Sequence, residues 1–412
     1  MTEAKIIKHI KTRVFKLSNA TTPSKTMLLS RIIMCMNTCV KCVKLFCWSE
    51  RNKMSIEIKP LDPANRNACP KEFSFGATFS DHMFTQDYEK GKGWYDALIS
   101  PYHALTLDPS AAVFHYSQEI FEGLKAYRTP NGTINLFRPE ENFKRFNRSA
   151  NRMVMPEVDV KFHLDAVKKL ITLDQAWVPE QDGASLYIRP TMIATTPKLG
   201  LGASSSYTHF IITGPAGSYF SGGLTPISVY VAEEYHRAVR GGVGEAKTGG
   251  NYAASLYASE EVAKRGYSQV LWLDAVDNKY IEEVGAMNIC FVYQDKNSGK
   301  KRIVTPALSG SILPGITRDS ILQLAPAIGY EITEERLDIN QILADIDSGK
   351  ITEVFGCGTA AVISPVGTLC FGGKDHVINN NETGDVSKHL YDELTGIQYG
   401  THEDRFGWIQ SI

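Results

Sequence analysis

The sequence lacks the compositional extremes that mark several classes of protein. It has 412 residues but only eight cysteines, too few for the disulfide framework of a small secreted domain. Its formal net charge of −1 gives no reason to expect nucleic acid as the main partner. With 43% hydrophobic and 22% charged residues, the chain is predicted to be an ordinary globular protein with reduced thiols, located in the cytoplasm.

The chain also lacks an uninterrupted hydrophobic run in its first 53 residues, although apolar patches occur there. Arg31, Lys41 and Lys44 interrupt the stretch 27–48, so it is not expected to span a membrane. The segment 1–53 carries eleven Lys or Arg against two Glu. We interpret it as a basic, poorly ordered extension. A mitochondrial transit peptide is the alternative, because such peptides are basic and poor in acidic residues.

Four of the eight cysteines lie in this extension, at Cys35, Cys39, Cys42 and Cys47. The pair Cys39-x-x-Cys42 has the spacing of half a zinc site. A full site needs four ligands; Cys35 and Cys47 could complete the count, but no Gly-bearing knuckle or downstream Cys-x-x-Cys supports them. We therefore predict no metal site.

The length of the chain exceeds that of one compact core, so two domains are expected. The Gly-, Ser- and Pro-rich segment 214–226 predicts a linker between a smaller domain, 54–213, and a larger domain, 227–412. Strand-like segments such as Val113–Tyr116 mix with helix-like segments such as Glu140–Arg152, without strict βαβ alternation. The predicted fold class is therefore mixed α/β, of the α+β kind.

The most informative segment is a glycine-rich loop, residues 240–252, that contains a single lysine, Lys247. Glycines let the backbone approach a flat ligand closely, and a lysine amine can bond covalently to a carbonyl cofactor. A surface turn with a solvated lysine is the ordinary alternative. Residues 241–248 also match the nucleotide-binding pattern G-x-x-x-x-G-K-[ST], except that Ala246 replaces the second glycine. A nucleotide-binding protein is therefore a further alternative.

Three other segments carry related chemistry. Glu283 precedes an apolar strand and is either a solvated carboxylate or the partner of a cofactor's ring nitrogen. Gly315 leads into a helix beginning near Thr317, where free N–H groups can bind phosphate or Thr317 can act as a simple cap. The turn that contains Thr359 and Ala360 follows a strand directly and can present backbone N–H groups to a carboxylate.

These four segments, in this order, resemble the class IV pyridoxal-phosphate (PLP) aminotransferases, and within them the branched-chain aminotransferases. The resemblance runs from about Phe75 to Gly400 and includes the segments 115–126 and 185–190. It implies a two-domain fold of type IV with PLP at the domain interface. It also implies transamination of leucine, isoleucine and valine with 2-oxoglutarate, by a homodimer whose subunits both shape each site. A D-amino-acid transaminase or an aminodeoxychorismate lyase is the alternative within this family.

The resemblance further implies a role for each matching residue. Lys247 would hold PLP covalently and carry the proton, Tyr252 would bond to the ring oxygen, and Glu283 to the ring nitrogen. The remaining cofactor contacts implied are Arg145, Ile316, Thr317 and Thr359. The substrate contacts implied are the backbone of Thr359 and Ala360, the pocket walls Phe75, Tyr116, Phe121 and Tyr187, and Arg189 for the distal carboxylate of glutamate.

The sequence departs from the family's animal members at one place. Those enzymes carry a Cys-x-x-Cys pair just after the Gly-Thr-Ala segment, whereas this chain has Ala361 and Ser364 there. A thiol switch at that place is not expected, and we interpret Cys357 as a structural residue.

Overall fold

Two mixed β-sheets and the helices packed on them organise the chain in a computed structural model, which describes residues 55–217 and 224–412. The basic extension 1–53 and its four cysteines lie outside the described residues, so the predictions made for them stay predictions. The described part from residue 56 to the C-terminus forms one compact unit.

The first sheet is formed by strands whose buried and less buried residues alternate, as along the eleven-residue strand Ser206–Ala216. Its strands are β1 (Glu57–Ile58), β2 (His82–Glu89), β3 (Gly93–Pro101), β4 (Glu119–Phe121), β5 (Leu124–Arg128), β6 (Ile134–Phe137), β7 (Ser185–Ala194) and β8 (Ser206–Ala216). The order across the sheet is β1-β3-β2-β8-β7-β5-β6, and β4 also pairs with β7. The β1–β3 pair is parallel and the other pairs are antiparallel.

The second sheet contains longer buried apolar runs because helices cover it. Its strands are β9 (Ile227–Val231), β10 (Gln269–Leu273), β11 (Ile281–Val284), β12 (Asn288–Gln294), β13 (Lys301–Pro306), β14 (Glu331–Glu335), β15 (Ile351–Gly358), β16 (Val362–Phe371) and β17 (Lys374–Val377). The order is β11-β10-β9-β16-β15-β12-β13-β14, and β17 pairs with β16. Strand β9 lies parallel to both of its neighbours.

The helices are amphipathic and bury one side against these sheets. They are α1 (Ala112–Tyr116), α2 (Pro139–Arg152), α3 (Val160–Leu173), α4 (Gly249–Ala253), α5 (Leu256–Lys264), α6 (Ile316–Ala327), α7 (Ile339–Asp347) and α8 (Asp385–Tyr399). Phe143 and Phe146 of α2 are fully buried in the core of the first sheet. Within the described ranges, no helix is both long enough and apolar enough to cross a bilayer.

The predicted mixed α/β class is confirmed. The predicted strand Val113–Tyr116 is wrong, because these residues form the short helix α1, which ends at Ser117 in the left-handed conformation (φ 48°). A short apolar run is compatible with either a buried helix or a strand, and the sequence alone does not decide between them.

Two strands cross the predicted domain boundaries. Strand β8 continues through Ala216, so the first residues of the predicted linker 214–226 belong to the first sheet. The last strand, β18 (Ile409–Ser411), returns to pair with β6 of that sheet, although it lies within the predicted larger domain. Long-range pairing of this kind leaves no local sequence signal. The division into two domains itself stays a prediction.

Candidate active site

The loop that carries Lys247 is held between β4 and α2 by backbone contacts on both sides. The backbone N–H of Phe121 donates to the Lys247 carbonyl (3.0 Å), and the Lys247 N–H donates to the Ser149 hydroxyl (2.9 Å). At Gly249 the backbone N–H donates to Glu119 Oε1 (2.6 Å), and a Cβ at this position would collide with that carboxylate. The glycine is therefore needed for the close approach that fixes the lysine.

The side-chain amine of Lys247 is half-buried and lies among aromatic groups. Its Nζ donates to the Tyr252 hydroxyl over 2.9 Å and lies 5.0 Å from the centre of the Phe121 ring. The Phe121 and Tyr252 rings are themselves 5.0 Å apart between centroids. The amine is thus held in one place rather than free in solvent, which contradicts the alternative of a solvated surface lysine.

Glu283 is buried and paired. Its Oε2 lies 2.5 Å from Nη2 of Arg237, and both side chains are less than a tenth exposed. Its Oε1 accepts from the Leu313 backbone N–H and from the Asn288 amide, each at 3.2 Å. Burial raises the pKa of Glu283, while Arg237 and the Leu313 N–H oppose the rise. Glu283 is therefore a buried carboxylate rather than a solvated one, although its strand β11 stands at the edge of the second sheet.

Asn288 connects this carboxylate to the loop that precedes helix α6. Besides its bond to Glu283, the Asn288 amide donates to the Leu313 carbonyl (3.0 Å). A Cβ at Gly315 would collide with the Asn288 side-chain oxygen, so the loop passes directly over Asn288. This contact fixes the position of the α6 N-terminus relative to Glu283.

Arg145 reaches the same loop from helix α2. It forms a bidentate pair with the fully buried Glu122, through Nε at 2.7 Å and Nη2 at 2.9 Å, and its Nη1 donates to the Pro314 carbonyl (3.2 Å). Burial alone would raise the pKa of Glu122, but the Arg145 guanidinium beside it holds that pKa below its usual value. Glu122 fixes the guanidinium beside the start of α6.

Helix α6 begins at Ile316, with Gly315 as its N-cap. The N–H groups of Ile316 and Thr317 have no partner within the helix, because they belong to its first turn. Both residues are buried or nearly so. Gly315 has no side chain to cap the helix, so this terminus and Arg145 together offer donors and positive charge to an anion.

The turn between β15 and β16 contains Thr359 and Ala360, both partly buried. The ammonium of Lys125, on β5, donates to the Ala360 carbonyl over 2.7 Å. The turn is thereby attached to the first sheet although it belongs to the second.

A second group of predicted residues surrounds Tyr187 on β7. The Tyr187 hydroxyl accepts from Nη2 of Arg189 at 2.9 Å, and the Phe75 ring packs edge-on against Tyr187 at 5.0 Å. The Arg189 guanidinium lies 4.7 Å from the centre of the Phe121 ring, and its Nε is buried with no hydrogen-bond partner among the described residues. Phe121 links this group to Lys247, so an aromatic wall and a cation lie beside the amine.

Tyr116 is the predicted pocket residue that these contacts do not connect to Lys247. It ends helix α1, is 38% exposed, and donates its hydroxyl to the Leu199 carbonyl. No contact of the described residues places it beside Phe121 or Tyr187.

Sequence reasoning missed four partners that complete the site: Glu122, Arg237, Asn288 and Lys125. Glu122, Lys125 and Asn288 lie within segments that carried the resemblance, but nothing local to them indicates which residue they meet. Arg237 precedes Lys247 by ten positions and belongs to no motif. Cys357 is buried as expected, and its thiol contacts that of Cys290 on the neighbouring strand.

The comparisons with known proteins agree with this arrangement. The model of the family amino-transferase class IV matches residues 119–369. A probable branched-chain-amino-acid aminotransferase of Staphylococcus aureus (strain N315) is 51% identical over 355 residues, which cover 86% of this chain and 97% of that protein. Branched-chain-amino-acid transaminase 1 of Bacillus subtilis (strain 168) is 52% identical over 344 residues, covering 83% of this chain and 95% of that protein.

A solved structure shows the same fold. The branched-chain amino acid aminotransferase from Escherichia coli is 26% identical, with a TM-score of 0.63. The match covers 80% of this chain and 98% of that chain. The likeness therefore extends over nearly the whole of the solved protein.

The chain therefore belongs to the class IV aminotransferase family. The relatives that share half of its residues are branched-chain-amino-acid aminotransferases, which confirms the resemblance predicted from the sequence. Neither the nucleotide-binding alternative nor the alternative enzymes within the family are favoured by these matches.

Proposed function

We propose that this chain, with PLP bound, transfers the amino group of leucine, isoleucine or valine to 2-oxoglutarate. The observation that carries the proposal is the placement of the Lys247 amine, 2.9 Å from the Tyr252 hydroxyl and in contact with Phe121. The names of the relatives at about half identity support the substrate class.

The donor set fits PLP. Arg145 and the first N–H groups of α6 suit a phosphate, and Glu283 is a buried carboxylate that suits a protonated ring nitrogen. A cavity of about 140 Å³ is lined by Tyr252, Glu283 and Leu313 among others. When bound, PLP supplies an electron sink that eases removal of the substrate's Cα proton.

The side chains then have separate tasks. With PLP bound, Lys247 would take the proton from the substrate Cα and pass it to the cofactor carbon that carries the imine, because its amine is held beside the Tyr252 hydroxyl and the Phe121 ring. Tyr252 orients that amine through its hydroxyl. Glu283 would face the ring nitrogen, and Arg237, 2.5 Å away, favours the ionised form of Glu283 against the burial that raises its pKa.

One pocket has to accept an aliphatic side chain and a carboxylate in turn. Phe75, Phe121 and Tyr187 provide apolar surface for the first substrate. Arg189 lies beside the same rings, and its buried Nε has no partner in the described part of the chain, so it suits the distal carboxylate of glutamate. A hydroxyl–guanidinium bond between Tyr187 and Arg189 keeps the cation at the edge of the pocket while an aliphatic group is bound.

We also propose a homodimer, because Tyr116 lies on an apolar surface that the described residues leave exposed. Leu199 and Leu201 are 62% and 83% exposed, and Leu199 accepts the Tyr116 hydrogen bond. Large exposed apolar residues in one place indicate an interface. Sedimentation should show twice the chain mass, and Leu201→Glu should shift the protein toward monomer. A monomeric wild-type protein would contradict the dimer. The cytoplasmic location stays a prediction.

Amino-acid profiling is the experiment that tests the function. Purified protein with PLP should convert L-leucine, L-isoleucine and L-valine with 2-oxoglutarate, and D-alanine far more slowly. Visible absorption by bound cofactor should accompany the activity, whereas a nucleotide-binding protein would be colourless. Turnover of D-amino acids or of aminodeoxychorismate in preference to L-leucine would overturn the proposal.

A further inference from the structure

Lys125 is a buried lysine whose charge has no counter-ion among the residues that the structure describes. Its side chain belongs to β5, the residue is 8% exposed, and its ammonium donates to the Ala360 carbonyl over 2.7 Å. No ion pair of Lys125 with a carboxylate is present in the part of the chain that the structure describes. Burial lowers its pKa to about 8, so it remains mainly protonated at neutral pH.

Such a residue is costly for the fold. A buried cation loses its hydration, and one carbonyl contact satisfies only one of its three N–H donors. An apolar side chain of similar length, such as methionine, would fill the same space without that cost. The position of Lys125 therefore indicates a purpose other than packing.

The sheet register shows which part of the site Lys125 faces. Lys125 is the cross-strand partner of Tyr187 in the β5–β7 pair, so both side chains lie on the same face of the sheet. Tyr187 bonds to Arg189 on that face. The ammonium thus extends from the pocket wall to the turn that contains Thr359 and Ala360.

We propose that Lys125 is a positioning residue that holds this turn in place for the substrate's α-carboxylate. The charge-assisted bond to the Ala360 carbonyl fixes the peptide units of the turn, whose N–H groups can then face the carboxylate. The positive charge behind the turn adds to the attraction for the anion. The inference rests on the proposed function, because it concerns binding of the substrates in that reaction.

Both substrates carry an α-carboxylate, so both should lose affinity when the ammonium is removed. Lys125→Met should raise KM for leucine and for 2-oxoglutarate by roughly 10- to 100-fold, the usual range for a charge-assisted hydrogen bond. The kcat value should change by less than about threefold, because Lys125 does not touch the reacting atoms. Lys125→Arg, which keeps the charge and the donors, should restore KM to within about threefold of wild type.

Lys161→Met is the matched control, since Lys161 is an exposed lysine on α3. It should leave both KM values unchanged. Melting temperature and visible absorption of bound PLP are recorded for every variant, because a purely structural role would lower these together with kcat. If Lys125→Met does not fold, Lys125→Leu, which likewise removes both the charge and the donor, is measured against the same KM criterion.

Two results would overturn the inference: KM values indistinguishable from wild type in the folded neutral variant, or no rescue by arginine. A wild-type protein without leucine transamination would instead overturn the proposed function. The two failures are therefore distinguishable, because the Lys125 comparison is interpreted only on an active wild-type enzyme.

Discussion

Replacing Glu283 with glutamine tests the electrostatic part of the site. The carboxylate lies 2.5 Å from Arg237, and the two side chains are 4% and 8% exposed. Removing one charge of a buried pair typically costs about 3–5 kcal/mol of folding free energy, because the remaining charge is left without compensation. The Glu283→Gln protein should therefore unfold at a lower denaturant concentration than the wild type, because the buried charge of Arg237 is left without its partner.

The catalytic effect is separate from the effect on stability. Without the negative charge, the ring nitrogen of bound PLP is less readily protonated, and removal of the Cα proton slows. Electrostatic contributions of this kind are on the order of 10²–10³-fold in rate. PLP affinity should fall by less than about tenfold, because the phosphate contacts proposed for Arg145 and α6 remain.

Single-turnover kinetics with leucine, followed by cofactor absorbance, measure the rate, and titration measures PLP affinity. Glu282→Gln is the matched control. Glu282 is also buried, but it contacts Ser309 and Ser311 rather than Arg237, because successive strand residues face opposite sides. The control should keep the half-reaction within about threefold of wild type. An unchanged rate in Glu283→Gln, or equal losses in both variants, would refute the role of Glu283.

Three further outcomes are expected. Arg189→Gln should raise KM for 2-oxoglutarate at least about tenfold and leave KM for leucine nearly unchanged, because only 2-oxoglutarate has a distal carboxylate. Equal changes of the two KM values in steady-state assays would contradict this role of Arg189. Burial lowers the pKa of His163 to about 4 and also lowers the pKa of His209 well below its usual value, so the unfolded chain binds more protons than the folded one between pH 4 and 6.5. Denaturant titrations should show the free energy of unfolding falling as the pH drops from about 6.5 to 4, by about 3 kcal/mol for His163 alone. A free energy of unfolding that does not change over this range would contradict the prediction. Deletion of residues 1–53 should leave transamination nearly unchanged, and a large loss in rate assays would show that this basic extension supports the fold.

The residues predicted correctly from the sequence are those whose conformation depends on their near neighbours in the chain. Lys247 and Tyr252 lie five positions apart in a glycine-rich loop, and the structure joins them through one hydrogen bond. Ile316 and Thr317 follow a glycine that ends a loop, which is a local helix-start signal. These features depend on backbone conformations that nearby residues dictate.

The residues that sequence reasoning missed depend on contacts between distant segments. Arg237 meets Glu283 across 46 positions, and Lys125 meets Ala360 across 235. No sequence pattern predicts such pairs, because neither partner belongs to a motif that indicates the other. The wrong strand at Val113–Tyr116 has the same origin, since its short apolar run takes its conformation from the surrounding fold.

The most direct test of the account is Lys247→Ala, measured as the half-reaction with leucine together with the visible absorption of bound PLP. The account predicts loss of both, because the covalent hold on the cofactor and the proton transfer need the same amine. Lys161→Ala, on an exposed helix surface, should retain both. A Lys247→Ala protein with wild-type absorption and rate would show that another lysine holds the cofactor, and would contradict the central claim.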